Sequence, residues 1–294
     1  MKRQDQYFLS MVVLSFGLFW QPLSTLVSLA LTYDPYSHIL VIPAFSAFFI
    51  YWIDRSRVFQ QVQPCWKYSA PLIAVAAALF WVGYRNSSGP VDGFFSLQIL
   101  AVIIIWVAGF LLAYGTQPFR VALFPLSFLL LMVPLPETWL AWVIFALQQG
   151  SADASYWVFR LTGVPVFRDG FYFTLPGLTV EVAEQCSGIR SSTAMLILCL
   201  LVGHIVFRTY SRKVLLLLFA IPILIFKNAV RIVTITLLSA YVSRDFLSGW
   251  LHQFGGVLFF LLGLLVLVPI ISFLERTEKW QSRLEEASEA DVEV

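Results

Sequence analysis

Apolar runs at about 8–31, 37–53, 68–83, 94–114, 119–133, 189–207, 214–240 and 251–274 leave this chain few choices of fold. Each reaches or approaches the length that crosses ~30 Å of hydrocarbon as a helix. In lipid every backbone N–H and C=O must be satisfied within the protein, so such runs become helices. The composition agrees: 59% of residues are hydrophobic and 12% charged, against a charged share of about 25% in soluble domains. The expected fold is an all-α polytopic membrane protein with about eight transmembrane helices. Met1-Lys2-Arg3 before the first run resembles the start of a secretory signal, but the run is longer than a signal core and reads as a retained span. A further apolar segment, 139–161, is interrupted by Gln148-Gln149-Gly150-Ser151-Ala152-Asp153 and reads as an interfacial or re-entrant pair.

Lysine and arginine orient the string, because cytoplasmic connections carry an excess of them. With the N-terminus inside, the inside connections hold Lys2, Arg3, Arg55, Arg57, Lys67, Arg120, Arg208, Arg212, Lys213, Arg276, Lys279 and Arg283. The outside holds Arg85, Arg160, Arg168, Arg190 and Arg244. An even span count then places both termini in the cytoplasm. The expected organisation is one integral-membrane domain over 1–274 and a charged cytoplasmic tail over 275–294, read as a solvated helix end that frays.

One sizeable piece, 163–185, lies outside the membrane. Within it 164–168, 171–175 and 178–183 read as strands, divided by the turn dipeptides Asp169-Gly170 and Pro176-Gly177. Leu178, Val180 and Val182 alternate with Thr179, Glu181 and Ala183, as in a half-buried strand. This small extracytoplasmic β-meander, near 164–183, delivers Cys186 to the outer face.

Cys186 is hard to explain as packing. Cys65 falls in an inside loop and Cys199 midway along a span, so neither can pair with it, and the outside carries one lone thiol where paired cysteines would oxidise. It precedes a helix start at Ser187-Gly188, whose dipole favours thiolate, and Arg190 follows at i+4. A small residue at a helix entry is the bland alternative. In the seventh span Lys227, Asn228, Arg231 and Thr234 form a polar stripe. An ionised residue inside a membrane costs about 2.5–3.5 kcal/mol even on insertion scales, so its retention points to function. Arg231 stands about 27 Å up the helix from Lys213 at 1.5 Å per residue, near the outer boundary. An arginine snorkelling to headgroups is the competing reading; Asn228 one turn below favours an inward network. His252 opens the last span at the same depth, and His38, at the outer start of the second, is a competing base.

Thiol, imidazole and guanidinium form a working set for acyl transfer. The thiolate attacks a carbonyl, the imidazole shuttles the proton, and the guanidinium stabilises the oxyanion or holds the substrate backbone. Glu181 and Glu184 could orient a base, although surface carboxylates on a small sheet usually only solvate. No metal-ligand spacing, no nucleotide-binding glycine motif and no Gly-x-Ser-x-Gly occurs, so no cofactor or metal is expected. A net charge of +2, scattered through loops, argues against nucleic acid.

The run Glu181-Val182-Ala183-Glu184-Gln185-Cys186-Ser187-Gly188-Ile189-Arg190-Ser191, then Asn228-Ala229-Val230-Arg231-Ile232, then His252, resembles the signature of the exosortase and archaeosortase family. Tyr36-Ser37-His38-Ile39-Leu40-Val41-Ile42-Pro43 resembles its early motif, with Ile39 where a glycine often follows the histidine. The resemblance implies a polytopic cysteine transpeptidase of the plasma membrane, with Cys186 as nucleophile, Arg231 as transition-state arginine and His252 as proton carrier. Asn228, Arg190, Glu184 and His38 are supporting candidates. It further implies a membrane-anchored protein substrate with a C-terminal sorting signal, often of Pro-Glu-Pro type, and transfer to a surface anchor such as a glycolipid among the membrane lipids. Some relatives carry an extra soluble C-terminal domain; this sequence ends too soon for one, which leaves its subtype open.

Two other classes compete. A transporter or polysaccharide-export component would use Lys227, Asn228 and Arg231 as a substrate pathway. A non-catalytic scaffold would need the three site residues only for abundance.

Overall fold

The structure, a computed structural model, describes residues 3–53, 55–59, 62–247 and 250–292. Its helices are α1 (Arg3–Leu18), α2 (Trp20–Thr32), α3 (Ile42–Phe48), α4 (Arg55–Val58), α5 (Trp66–Asn86), α6 (Gly93–Tyr114), α7 (Thr116–Val121), α8 (Leu123–Phe128), α9 (Glu137–Leu161), α10 (Ile189–Val206), α11 (Tyr210–Tyr241) and α12 (Trp250–Val292). Between α9 and α10 lies an antiparallel sheet of β1 (Phe167–Asp169), β2 (Tyr172–Leu175) and β3 (Leu178–Glu181), in that order. Among the described residues six helical segments are long and apolar enough to cross a membrane, or up to eight if each of two bent pairs is one span. The chain is an all-α multi-pass membrane protein with a small sheet.

Two compact units divide it, Met1–Ala141 and Trp142–Val294. In the first, α5 and α6 lie side by side, so close at Gly83 that an added Cβ would sit 2.6 Å from the Phe94 carbonyl. The inner faces of α6 bury Ile99, Val102 and Phe110, and Trp106 Nε1 donates to Ser15 Oγ of α1 at 2.7 Å. In the second, Met195 and Cys199 of α10 pack with Leu216, Ala220 and Leu224 of α11 and Leu267 and Leu274 of α12.

Prolines explain where the apolar runs fail to become straight helices. The run 8–31 bends by 83° between α1 and α2, and Pro22 stands four residues after Leu18, the last of α1. A proline ring clashes with the carbonyl four residues before it and removes a hydrogen bond. The same spacing recurs at Pro125, four after Val121, where α7 ends. The run expected as a single span at 119–133 is thus α7, α8 and a 3₁₀ turn at Leu129–Met132, bent by 95° from α9.

The polar run expected to interrupt 139–161 does not break α9, which is continuous over 25 residues. Its polar groups have partners instead. Gln149 Nε2 donates to Asp153 Oδ1 at 3.0 Å, and Asp153 pairs with Arg168 of β1 at 2.7 Å. Gln148 and Ser151, buried in the same run, mark a face turned to protein, which a linear reading mistakes for a loop. Beyond Glu275, α12 runs on as helix to Val292. Thr209 donates from its N–H and Oγ1 to Glu278 at 2.8 and 2.6 Å, and Arg212 Nη2 to Gln281 Oε1 at 2.7 Å. These bonds tie the extension to the α10–α11 connection.

Asp92 caps α6 by accepting from the Phe95 N–H, and from the N–H groups of Ser88 and Gly89. Partial burial would raise its pKa, but these hydrogen bonds outweigh burial and hold the carboxyl below its usual range. Asp92→Ala should therefore cost about 1 kcal/mol. That contribution is present above the unfolded carboxyl value and is lost as pH falls through the lower folded one. Thermal unfolding in detergent should show a gap between wild type and variant at neutral pH that narrows in acid.

Candidate active site

β3 leads into the site. Leu178 and Val180 are half-buried while Thr179 and Glu181 are exposed, the alternation expected from the sequence, in register with β2 through Val180 opposite Phe173. Val182 then enters a core with Phe173 and Leu175 of β2, Ala152 and Phe159 of α9, and Ile232 and Val233 of α11; Cys186 packs on its edge, half-buried. Between them the chain makes a 3₁₀ turn, Glu184–Ser187, ended by Gly188 at φ 74° and followed by α10. A side chain at 188 meets two obstacles. The left-handed backbone costs an L-residue about 1–2 kcal/mol, and a Cβ would lie 3.0 Å from Asn228 Oδ1.

Hydrogen bonds from three helices hold this turn. Gln148 Nε2 of α9 donates to Val182 O at 2.6 Å. Asn228 Nδ2 of α11 donates to Cys186 O at 2.8 Å and to Ser151 Oγ of α9 at 2.9 Å. Ser191 Oγ of α10 donates to Gly188 O at 3.1 Å and accepts from Lys227 Nζ of α11. Lys227 and Asn228 are 4% and 2% exposed, so the stripe faces protein. Ser187, between the two held carbonyls, keeps a buried hydroxyl with no hydrogen-bond partner among the described residues.

Opposing influences set the acidity of the thiol. Burial pushes Cys186 above its ordinary value, while the Arg231 guanidinium and a hydrogen bond with the Ala183 backbone pull it down without overcoming burial. Arg231 therefore lies within electrostatic reach of the thiol. The arrangement offers a half-buried thiol on a fixed turn, one cation acting on it, and a helix N-terminus immediately after it, where partial positive charge gathers.

The family model for transmembrane exosortases matches residues 30–269. The chain belongs to the transmembrane exosortase family. The matched stretch contains the Cys186 turn, the α11 stripe and His252. Comparison with curated proteins and with solved structures finds no match. Family membership makes this a membrane transpeptidase of the exosortase kind, whose substrates are membrane proteins bearing a sorting signal.

Of the residues singled out by the exosortase resemblance, the structure brings together Cys186, Asn228 and Arg231, with Lys227 beside them. Glu184, at the start of the turn, and Arg190, in the first turn of α10, are exposed. His252 lies in the first turn of α12, with its side chain outside the described set. His38 belongs to the first unit, where its Nδ1 lies 3.1 Å from Pro35 O. Three contributors escaped the sequence reading: Gln148, Ser151 and Ser191. Gln148 and Ser151 share an i, i+3 helix face, a signal hidden by reading their run as an interruption. Ser191 closes the cysteine motif itself.

Proposed function

We propose that this protein is a cysteine transpeptidase that cleaves the C-terminal sorting signal of exported membrane-anchored proteins at the outer face of the plasma membrane. The observation that carries the reading is the Arg231 guanidinium acting on a half-buried thiol held at the start of α10. The Cys186 sulfur attacks the scissile carbonyl, whose oxygen takes up negative charge that Arg231 stabilises. The C–N bond then breaks, the amine leaves with the proton, and a thioester remains on Cys186. Because burial holds the resting thiol protonated, a base must remove that proton. His252 is the proposed carrier, with His38 its competitor. Water or an acceptor amine, such as one on a glycolipid, then resolves the thioester.

The loop charges support an extracytoplasmic site with both termini in the cytoplasm, and an integral domain over 1–274 with the charged segment 275–294 on the inner side. A substrate anchored by its own helix presents its cleavage site at the membrane boundary, and confinement to two dimensions raises its effective concentration. The Ser187 hydroxyl, with no hydrogen-bond partner among the described residues, leaves hydrogen-bonding capacity beside the thiol. The transporter alternative drew on Lys227, Asn228 and Arg231 as a solute path; the bonds of Lys227 and Asn228 to Ser191, Ser151 and Cys186 O favour service at the thiol.

Co-expression with a membrane protein carrying a C-terminal sorting signal tests this reading. The expected product has lost its C-terminal helix and is resolved by mass on a gel. A substrate that stays full-length beside well-inserted wild-type protein, across a panel of signals, would count against proteolytic processing.

A further inference from the structure

Two adjacent residues of α11 reach the two carbonyls that bracket Ser187. Asn228 bonds Cys186 O directly at 2.8 Å. Lys227 bonds Ser191, whose hydroxyl donates to Gly188 O at 3.1 Å. The same helix carries Arg231, one turn beyond Lys227, which acts on the Cys186 thiol. We propose that Asn228, and Lys227 acting through Ser191, form a carbonyl clamp that sets the register between the Cys186 thiol and Arg231. They are positioning residues for the nucleophile. The proposal rests on Cys186 being that nucleophile.

The turn needs such a device. Glu184–Ser187 is a single 3₁₀ turn and Gly188 is a left-handed glycine, so no Cβ restricts the main chain there; the Gly188 carbonyl also accepts from the Ser192 N–H of α10 at 2.9 Å, and the clamp adds to that bond. The clamp and the glycine fit each other: Asn228 Oδ1 occupies the space a Cβ at 188 would need. A buried lysine and a buried asparagine in a membrane helix are costly unless bonded, and the groups they serve are the carbonyls on either side of one residue. Displacing a reacting atom by about 1 Å can cost ~10²-fold in rate, which is the scale of movement the clamp prevents.

The test is the pH dependence of Cys186 alkylation by iodoacetamide in the full chain in detergent micelles, read at the Cys186 peptide by mass spectrometry. Asn228→Ala and Ser191→Ala each break one arm without changing charge. Ser239→Ala is the control: its hydroxyl donates within α11, to Ile235 O at 2.6 Å. Both arm variants should move the apparent thiol pKa upward by about half a unit to one unit, and lower kcat for a tailed substrate about 10²-fold with KM little changed. Ser239→Ala should leave the profile in place. If both arm variants elute as wild type and keep its profile, or if Ser239→Ala shifts it equally, the clamp is refuted. If Asn228→Ala does not accumulate, Ser191→Ala decides alone. Alkylation reports on the thiol whether or not substrate is cut, so an unshifted profile refutes the clamp itself, whereas a shifted profile in a protein that processes nothing refutes the catalytic reading on which its role rests.

Discussion

Cys186→Ala is expected to reduce processing of a tailed substrate by about 10⁴-fold or more, while the protein still inserts and elutes as wild type. The separation of effects follows from what holds the turn. Cys186 N–H donates to Ala183 O at 2.8 Å and Cys186 O accepts from Asn228. Alanine keeps both main-chain groups. Only the sulfur is lost from the edge of the Val182 core, and a half-buried site of that kind costs about 1 kcal/mol. Cys186→Ser should be nearly as inactive, because a hydroxyl is a far weaker nucleophile at the same pH without a stronger base. A transporter would tolerate both changes. Processing rates and the amount of membrane-inserted protein, measured together, separate the cases.

Arg231→Ala should lower processing by about 10²–10³-fold, the usual cost of losing one oxyanion-stabilising donor. It carries a second signature. Burial raises the thiol and Arg231 opposes it, so removing the guanidinium leaves burial unopposed. The thiol pKa then rises further, the thiolate fraction at neutral pH falls, and alkylation of Cys186 reaches its plateau only at higher pH. Arg231→Lys keeps the charge and loses the planar fork. It should restore much of the alkylation profile but only part of the processing rate. A guanidinium that merely snorkels to headgroups would change neither.

Much of this was legible in the sequence, for identifiable reasons. α5, α6, α10 and α11 follow the apolar runs closely, because a long uncharged stretch has no other solution in lipid. The meander followed from two turn dipeptides and a two-residue alternation; β2 and β3 fall within the expected segments, while β1 begins later than expected and runs one residue on, to Asp169. The breaks were less visible. Pro22 and Pro125 end helices four residues upstream, so the break is not where the apolar run stops. Polarity in α9 misled for a different reason: Gln148, Ser151 and Asp153 look like a loop until Val182 O, Asn228 and Arg168 stand opposite them. At the site, depth counting along α11 set Arg231 level with Cys186, and the guanidinium acts on that thiol. Counting along one helix could not reveal the Asn228 bond to Cys186 O, a contact between residues 42 apart in sequence.

Trapping the acyl-enzyme shows directly whether Cys186 is the nucleophile. Cells co-expressing the wild-type chain and a tailed substrate are quenched in acid, and the Cys186 peptide is analysed by mass spectrometry. A substrate-derived acyl group is expected on Cys186, released by hydroxylamine, absent from Cys186→Ala, and accumulating when the acceptor is depleted. Efficient loss of the substrate's C-terminal helix with Cys186 free throughout, or normal processing by Cys186→Ala, would contradict that role.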